Sequence, residues 1–212
     1  MIREQLGFEA MSLVQCTDLT RAAGRRRPAW AHGEGYRPNL PAVLAEFNRE
    51  DAAHRLALLL SDLGVAASHD VRVGGGRRRF RLHRVVVPAD RDSVVRALTG
   101  YWRQGRGTLL STELVGASSP RNAQRATLAR AAWRAALLAG GRRLRADSLG
   151  VRLCDQEMAA VLVRAGRLLG VTPMVESRPG CLLVTVSEPE ERTRILNTLS
   201  TTALLPATRR VA

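Results

Sequence analysis

The feature that most constrains this chain is internal repetition. Glu46-Phe47-Asn48-Arg49-Glu50-Asp51-Ala52-Ala53 runs on to Leu63-Gly64-Val65. Arg152-Leu153-Cys154-Asp155-Gln156-Glu157-Met158-Ala159 runs on to Leu169-Gly170-Val171 with no gap. Each segment opens as a short apolar strand. Each then offers an Asn or Asp (Asn48, Asp155) as helix N-cap, with acids in the first turn where the helix dipole favours them. An amphipathic helix follows and stops at Leu-Gly-Val, the glycine placed to end it. A fold built on this chain must therefore use one supersecondary unit twice.

The pattern extends in both directions. Downstream of each stop the sequence predicts a hairpin. The first is Ala67 to Val73, the turn Gly74-Gly75-Gly76 and Arg78 to Val87; the second is Pro173 to Ser177, the turn Arg178-Pro179-Gly180 and Cys181 to Val186. A short closing helix is expected from Asp90 to Leu98 and from Pro189 to Leu199. Upstream, each unit opens with a helix ending in glycine, Glu9 to Gly24 and Ala123 to Gly141. The expected fold class is α+β: tandem αββαββα repeats related by a pseudo-twofold axis. The expected division is repeat one at 1–99, a Gly/Ser/Thr-rich linker at 100–122, repeat two at 123–200 and a tail at 201–212.

The opening helices carry a resemblance. Cys16-Thr17-Asp18-Leu19-Thr20-Arg21-Ala22-Ala23-Gly24 and Trp133-Arg134-Ala135-Ala136-Leu137-Leu138-Ala139-Gly140-Gly141 end in small residues suited to close helix packing. In this order of elements the chain resembles the LAGLIDADG homing endonucleases. Their name motif ends the first helix of each repeat, and an acid before the last glycine holds the catalytic metal. Here those positions fall on Ala23 and Gly140, which offer no oxygen ligand. Asp18 lies more than a helical turn too early, and repeat two has alanine there. The segment Arg130-Ala131-Ala132-Trp133-Arg134-Ala135-Ala136-Leu137-Leu138-Ala139-Gly140-Gly141 is similar to the Arg-x-x-x-Arg-Gly-x-Phe-x-Ala-Gly-Gly opening of repeat two in the WhiA family. That family keeps the LAGLIDADG fold without its acids. The resemblance implies a non-enzymatic DNA-binding protein with a role in transcriptional regulation, in sporulation or cell division. WhiA proteins also carry a C-terminal helix-turn-helix domain, for which Ala212 comes too soon.

Charge points the same way. The formal charge is +14, from 33 basic residues, all arginine, against 19 acids. Base composition can account for arginine over lysine but not for the excess over acid, which suits a polyanion. Absence of lysine excludes Schiff-base and phosphate-loop lysine chemistry. The basic runs are clustered. Arg25, Arg26 and Arg27 follow the first opening helix, and Arg142, Arg143 and Arg145 follow the second. Arg77, Arg78, Arg79 and Arg81 occupy the hairpin tip. Strand alternation groups Arg79, Arg81 and His83 on one face and Phe80 and Leu82 on the other. The reading takes the apolar pair as packed under helices and the arginines as lining an open face. The candidate nucleic-acid-binding residues are therefore Arg25, Arg26, Arg27, Arg77, Arg79, Arg81, Arg142, Arg143 and Arg145. Each run taken alone also fits a solvated helix end or hairpin tip.

The remaining chemistry is sparse. His32, His54, His69 and His83 are too dispersed for a metal site. Cys16, Cys154 and Cys181 form neither a disulfide framework nor a ligand cluster and read as small buried hydrophobes. No catalytic residue, metal or cofactor is expected. With no membrane span or leader in the sequence, the expectation is a cytoplasmic, nucleoid-associated protein. The partners expected are double-stranded DNA and the transcription machinery or other regulators, with no membrane and no small-molecule substrate. Two other readings stand beside this one: a protein-interaction scaffold that kept the fold alone, and a degenerate homing endonuclease.

Overall fold

The computed structural model describes residues 2–17, 42–74, 80–87, 91–112, 118–145 and 148–200. In order these form α1 (Ile2–Thr17), β1 (Ala42–Phe47), α2 (Glu50–Asp62), β2 (Ser68–Gly74), β3 (Phe80–Val87), α3 (Arg91–Leu110), α4 (Pro120–Ala139), β4 (Gly141–Arg145), β5 (Ser148–Leu153), α5 (Gln156–Leu168), β6 (Met174–Arg178), β7 (Cys181–Val186) and α6 (Pro189–Ser200). The second half, α4 to α6, is a complete αββαββα unit. Its antiparallel sheet has the order β4-β5-β7-β6. The first half shows the same succession from β1 onward, with sheet order β1-β3-β2. So β1, β3 and β2 match β5, β7 and β6.

The helix stops repeat at atomic detail. Val65 N–H bonds Leu60 O at 2.8 Å and Gly64 N–H bonds Ser61 O at 2.9 Å. Val171 N–H bonds Gly166 O at 2.9 Å and Gly170 N–H bonds Arg167 O at 3.1 Å. Both are Schellman ends, and both need a left-handed residue, which Gly64 (φ +80°) and Gly170 (φ +70°) supply. The starts differ. Asp155 caps α5, accepting from Met158 N at 2.7 Å. Asn48 does not cap α2. Arg49 takes that position without a side-chain capping bond, and the Asp51 carboxylate holds both the Arg49 guanidinium and the Ala52 amide.

Three boundaries differ from expectation. Helix α1 begins at Ile2 rather than Glu9, and its expected end at Gly24 lies outside the described residues. Helix α4 starts at Pro120, capped by Ser119, which accepts from Asn122 N at 3.1 Å. Helix α3 runs to Leu110, across much of the stretch expected as linker. Its buried stripe of Val94, Leu98, Trp102, Gly105 and Leu109 keeps helical spacing past Gly100. Trp102 stacks on Phe8 of α1 with ring centroids 5.4 Å apart. Gly105 lies so close to that ring that a Cβ there would stand 2.3 Å from Phe8 Cδ2. This glycine is a helix contact point and not a chain break.

The core lies between the helices and one face of each sheet. Helix α4 contributes Ala129, Ala131, Ala132, Trp133, Ala135, Ala136 and Leu137, all fully buried, and packs against α1. At this junction Glu9 of α1 is buried and forked by two arginines. Arg55 of α2 reaches it at 2.8 and 3.1 Å, and Arg134 of α4 at 2.8 and 2.5 Å. Arg134 also donates to Thr198 O of α6 at 3.2 Å. Burial by itself would raise the Glu9 pKa. Its bonds and charge attraction to Arg134 and Arg55 outweigh that and hold the carboxyl below the ordinary glutamate value. One carboxylate thus joins both repeats.

Candidate nucleic-acid interface

Which sheet face meets the helices follows from the strands themselves. In β3, Val85 and Val87 are fully buried in the helix-side core and His83 is buried beside them. Their neighbours across the ladder are Phe47 and Ala45 of β1, which belong to the same core. The alternate set, Leu82, Arg84 and Val86, points the other way, and none of it joins that core. In sheet two, Leu149, Val151, Leu153, Val184 and Val186 face the helices, leaving Gly150, Arg152, Leu183 and Thr185 on the open side.

This inverts the expectation for the hairpin strand. Arg81 stands in register with His83 and Val85, on the helix side, and is exposed because the strand end there is uncovered; its ladder partner Val73 is 61% exposed. The sequence alternation grouped the residues correctly but assigned the groups to the wrong faces. Leu82, expected under the helices, lies on the open side.

The open face of sheet one carries Arg84 opposite Glu46 on one side and Asp70 on the other. Its guanidinium lies 3.8 Å from Glu46 Oε1 and 3.9 Å from Asp70 Oδ2. Arg72, exposed and paired with Leu82, shares this face. The open face of sheet two differs. Arg152 is exposed and has no acidic partner among the described residues. Glu176 and Arg178 of β6 satisfy each other at 2.8 Å. In β4, Arg143 pairs with Gly150 and Arg145 with Ser148, register positions of the open face, whereas Arg142 pairs with Val151 in the helix-facing register. Arg25, Arg26, Arg27, Arg77 and Arg79 lie outside the described residues.

This architecture is found in solved structures. Full-length DUF199/WhiA from Thermatoga maritima superposes with a TM-score of 0.55 at 12% identity, covering 93% of this chain and 55% of that one. The N-terminal LAGLIDADG domain of DUF199/WhiA gives 0.54 at 10% identity, covering 99% and 84%. This protein has the LAGLIDADG fold. I-DmoI, solved in complex with DNA and Mn, gives 0.55 at 13% identity over 93% of this chain and 98% of that one. The chain spans about half the length of full-length WhiA. No family model matches the sequence. No curated protein matches it either.

Gly140, the residue expected from sequence to match the LAGLIDADG acid position of repeat two, is closed by packing. A Cβ there would stand 2.6 Å from Ala136 O and 2.7 Å from Val151 Cγ1. Backbone would have to move to admit an aspartate. The counterpart, Ala23, and Asp18 lie outside the described residues. Among the described residues no group of three His, Cys, Asp or Glu side chains could hold a metal, and no helix is long and apolar enough to cross a membrane.

Sequence reasoning missed Arg72 and Arg152 as interface candidates. The signal for Arg152 was present: a single charge between Val151 and Leu153 in an otherwise apolar strand. A single arginine in a strand is a weaker charge signal than the runs at 25–27, 77–79 and 142–145.

Proposed function

We propose that this protein is a non-enzymatic binder of double-stranded DNA that meets the phosphate backbone with the open faces of its sheets. The observation that carries the reading is Arg152, an exposed guanidinium without an acidic partner among the described residues, on the same open face as the register positions of Arg143 and Arg145. Arginines arrayed on one sheet face suit phosphate contacts, which position a duplex without reading its sequence. Arg72 extends the surface on sheet one. The excess of 33 basic over 19 acidic residues supports a polyanionic partner. I-DmoI, of the same fold, was solved with DNA.

The non-enzymatic part rests on Gly140, where packing leaves no room for a carboxylate, and on alanine at position 23. The likeness to WhiA supports a role in transcriptional regulation, in sporulation or cell division, with a cytoplasmic, nucleoid-associated location and the transcription machinery or other regulators as protein partners. The deciding experiment is a titration on duplex DNA at several salt concentrations, run beside plasmid incubation with Mg²⁺ or Mn²⁺. Log affinity should fall with log salt by about 0.9 per phosphate contact, and the plasmid should stay intact. Salt-independent or absent binding would overturn the DNA reading, and metal-dependent cutting would overturn the non-enzymatic one.

A further inference from the structure

Three cysteines occur in the sequence, and the structure separates them. Cys16 is buried in the core, where burial pushes its thiol far up and out of reach of thiolate chemistry. Cys154 and Cys181 are half-exposed, which corrects the expectation that all three are buried. Strand β5 pairs with β7 as far as Leu153↔Leu182, and that register continued by one residue places Cys154 opposite Cys181. By alternation both stand on the open face, two positions beyond Arg152 and one before Leu182 respectively.

The geometry of that step follows from the neighbouring turn. Arg178 pairs with Cys181 across Pro179-Gly180, with Gly180 at φ +74°. Proline followed by a left-handed glycine is the signature of a type II turn, whose fourth N–H bonds the first C=O. The N–H and C=O of Cys181 therefore point toward β6. Toward β5 the same residue occupies a non-hydrogen-bonded site, and at such sites opposed Cα atoms approach to about 4.5 Å. That lies within the Cα separation a disulfide spans, about 4.4–6.8 Å. The carbonyl of Gly180 must then point toward β5. It does: Cys154 Sγ donates to Gly180 O at 3.5 Å.

We propose that Cys154 and Cys181 form a cross-strand dithiol that small disulfide oxidants convert to an intramolecular disulfide. The reaction balances without any other reagent. One protein thiolate attacks a sulfur of the oxidant, breaking its S–S bond, forming a mixed disulfide and releasing one thiolate. The second protein thiolate attacks the protein sulfur of that mixed disulfide and releases the other. The two protein protons end on the two released thiols, so the dithiol is oxidised and the oxidant reduced. The bond ties the start of α5 to the β6–β7 turn. In a reducing compartment such a bond is transient and reports the redox state, unlike a structural disulfide. The site is independent of the DNA-binding reading.

The test uses the full chain, reduced, freed of reductant and incubated with oxidised glutathione. Intact mass should fall by two hydrogens, and peptide mapping should join the Cys154 and Cys181 peptides. Cys154→Ser and Cys181→Ser, each lacking the resolving thiol, should instead retain one glutathione. Cys16→Ser should behave as the parent chain, and circular dichroism should show each variant folded. A parent chain that keeps glutathione adducts, stays unmodified, links through Cys16 or dimerises through intermolecular disulfides would overturn the proposal. Single variants that take up no glutathione would overturn it equally.

Discussion

The three strands common to the two sheets have the same order but opposite electrostatic habits. On sheet one, Arg84 lies between Glu46 and Asp70, so its charge is met on both sides within the face. On sheet two, the place matching Glu46 is taken by Arg152, and the place matching Arg84 is Leu183. The acid has become a base and the base has become apolar. Repetition kept the backbone, the Schellman ends and the largely apolar character of the helix-facing positions, all of which the shared core constrains. It did not preserve the open faces, which packing leaves unconstrained. In the proposed function, sheet two carries more of the affinity than sheet one.

The largest expected effect breaks both sheets together. Glu9→Gln leaves Arg55 and Arg134 buried around a neutral group, and removing one partner of a buried ion pair costs about 3–5 kcal/mol. Chemical denaturation should show that loss as one transition; separate transitions for the two halves would refute a common core. The pH dependence has a fixed sign. The Glu9 pKa is lower folded than unfolded, so its stabilisation is full above the ordinary glutamate value of about 4.3 and drains away as pH falls through the depressed one. Glu9→Gln should flatten that acid slope.

Next comes the comparison itself. Replacing Arg143, Arg145 and Arg152 together by alanine should lower affinity for duplex DNA at least tenfold and make the salt slope shallower by about 0.9 for each phosphate no longer neutralised. Arg84→Ala should change binding by less than twofold. Equal weakening from the two sheets would show that the ion pairs on sheet one do not mask it. A smaller contrast separates faces: Arg152→Ala should weaken binding severalfold, while Arg81→Ala, on the helix-facing side of its strand, should have a lesser effect. The reverse ranking would return the hairpin strand to the orientation expected from sequence. The smallest effect is a gain. Glu46→Gln together with Asp70→Asn should unmask Arg84 and tighten binding about twofold, read in the same titration.

Much of the fold was legible in the sequence because the same signals occur twice. The Leu-Gly-Val stops, the Pro-Gly turn and the Asp155 cap are local chemistry, and each formed as local chemistry dictates. Other features depended on distant residues. Gly100, Gly105 and Gly107 read as a linker, but Gly105 answers to the ring of Phe8, far away in sequence. The face of β3 was ambiguous because both alternate sets contain apolar residues, Val85 and Val87 against Phe80, Leu82 and Val86. Only the pairing with Phe47 and Ala45 decides it. The charge excess was also partly spent internally. Arg125 and Arg164 donate to the last carbonyls around the end of α3, and Arg194 to Gly170 O beyond α5. Those arginines serve helix ends, where carbonyls lack partners.

The buried Glu9 has a bearing on how such a protein could have arisen from a single unit. Its carboxylate belongs to the first half, and one of its two guanidiniums belongs to the second. A polypeptide severed between α3 and α4 would yield one piece whose acid keeps only half its counter-charge and another whose Arg134 is left with none. Neither piece is suited to exist alone, yet each holds what the other lacks. Mixed in solution, the two should find one another and reassemble. Such reassembly would make the chain equivalent to a heterodimer whose subunits are covalently joined and share the counter-charge of Glu9.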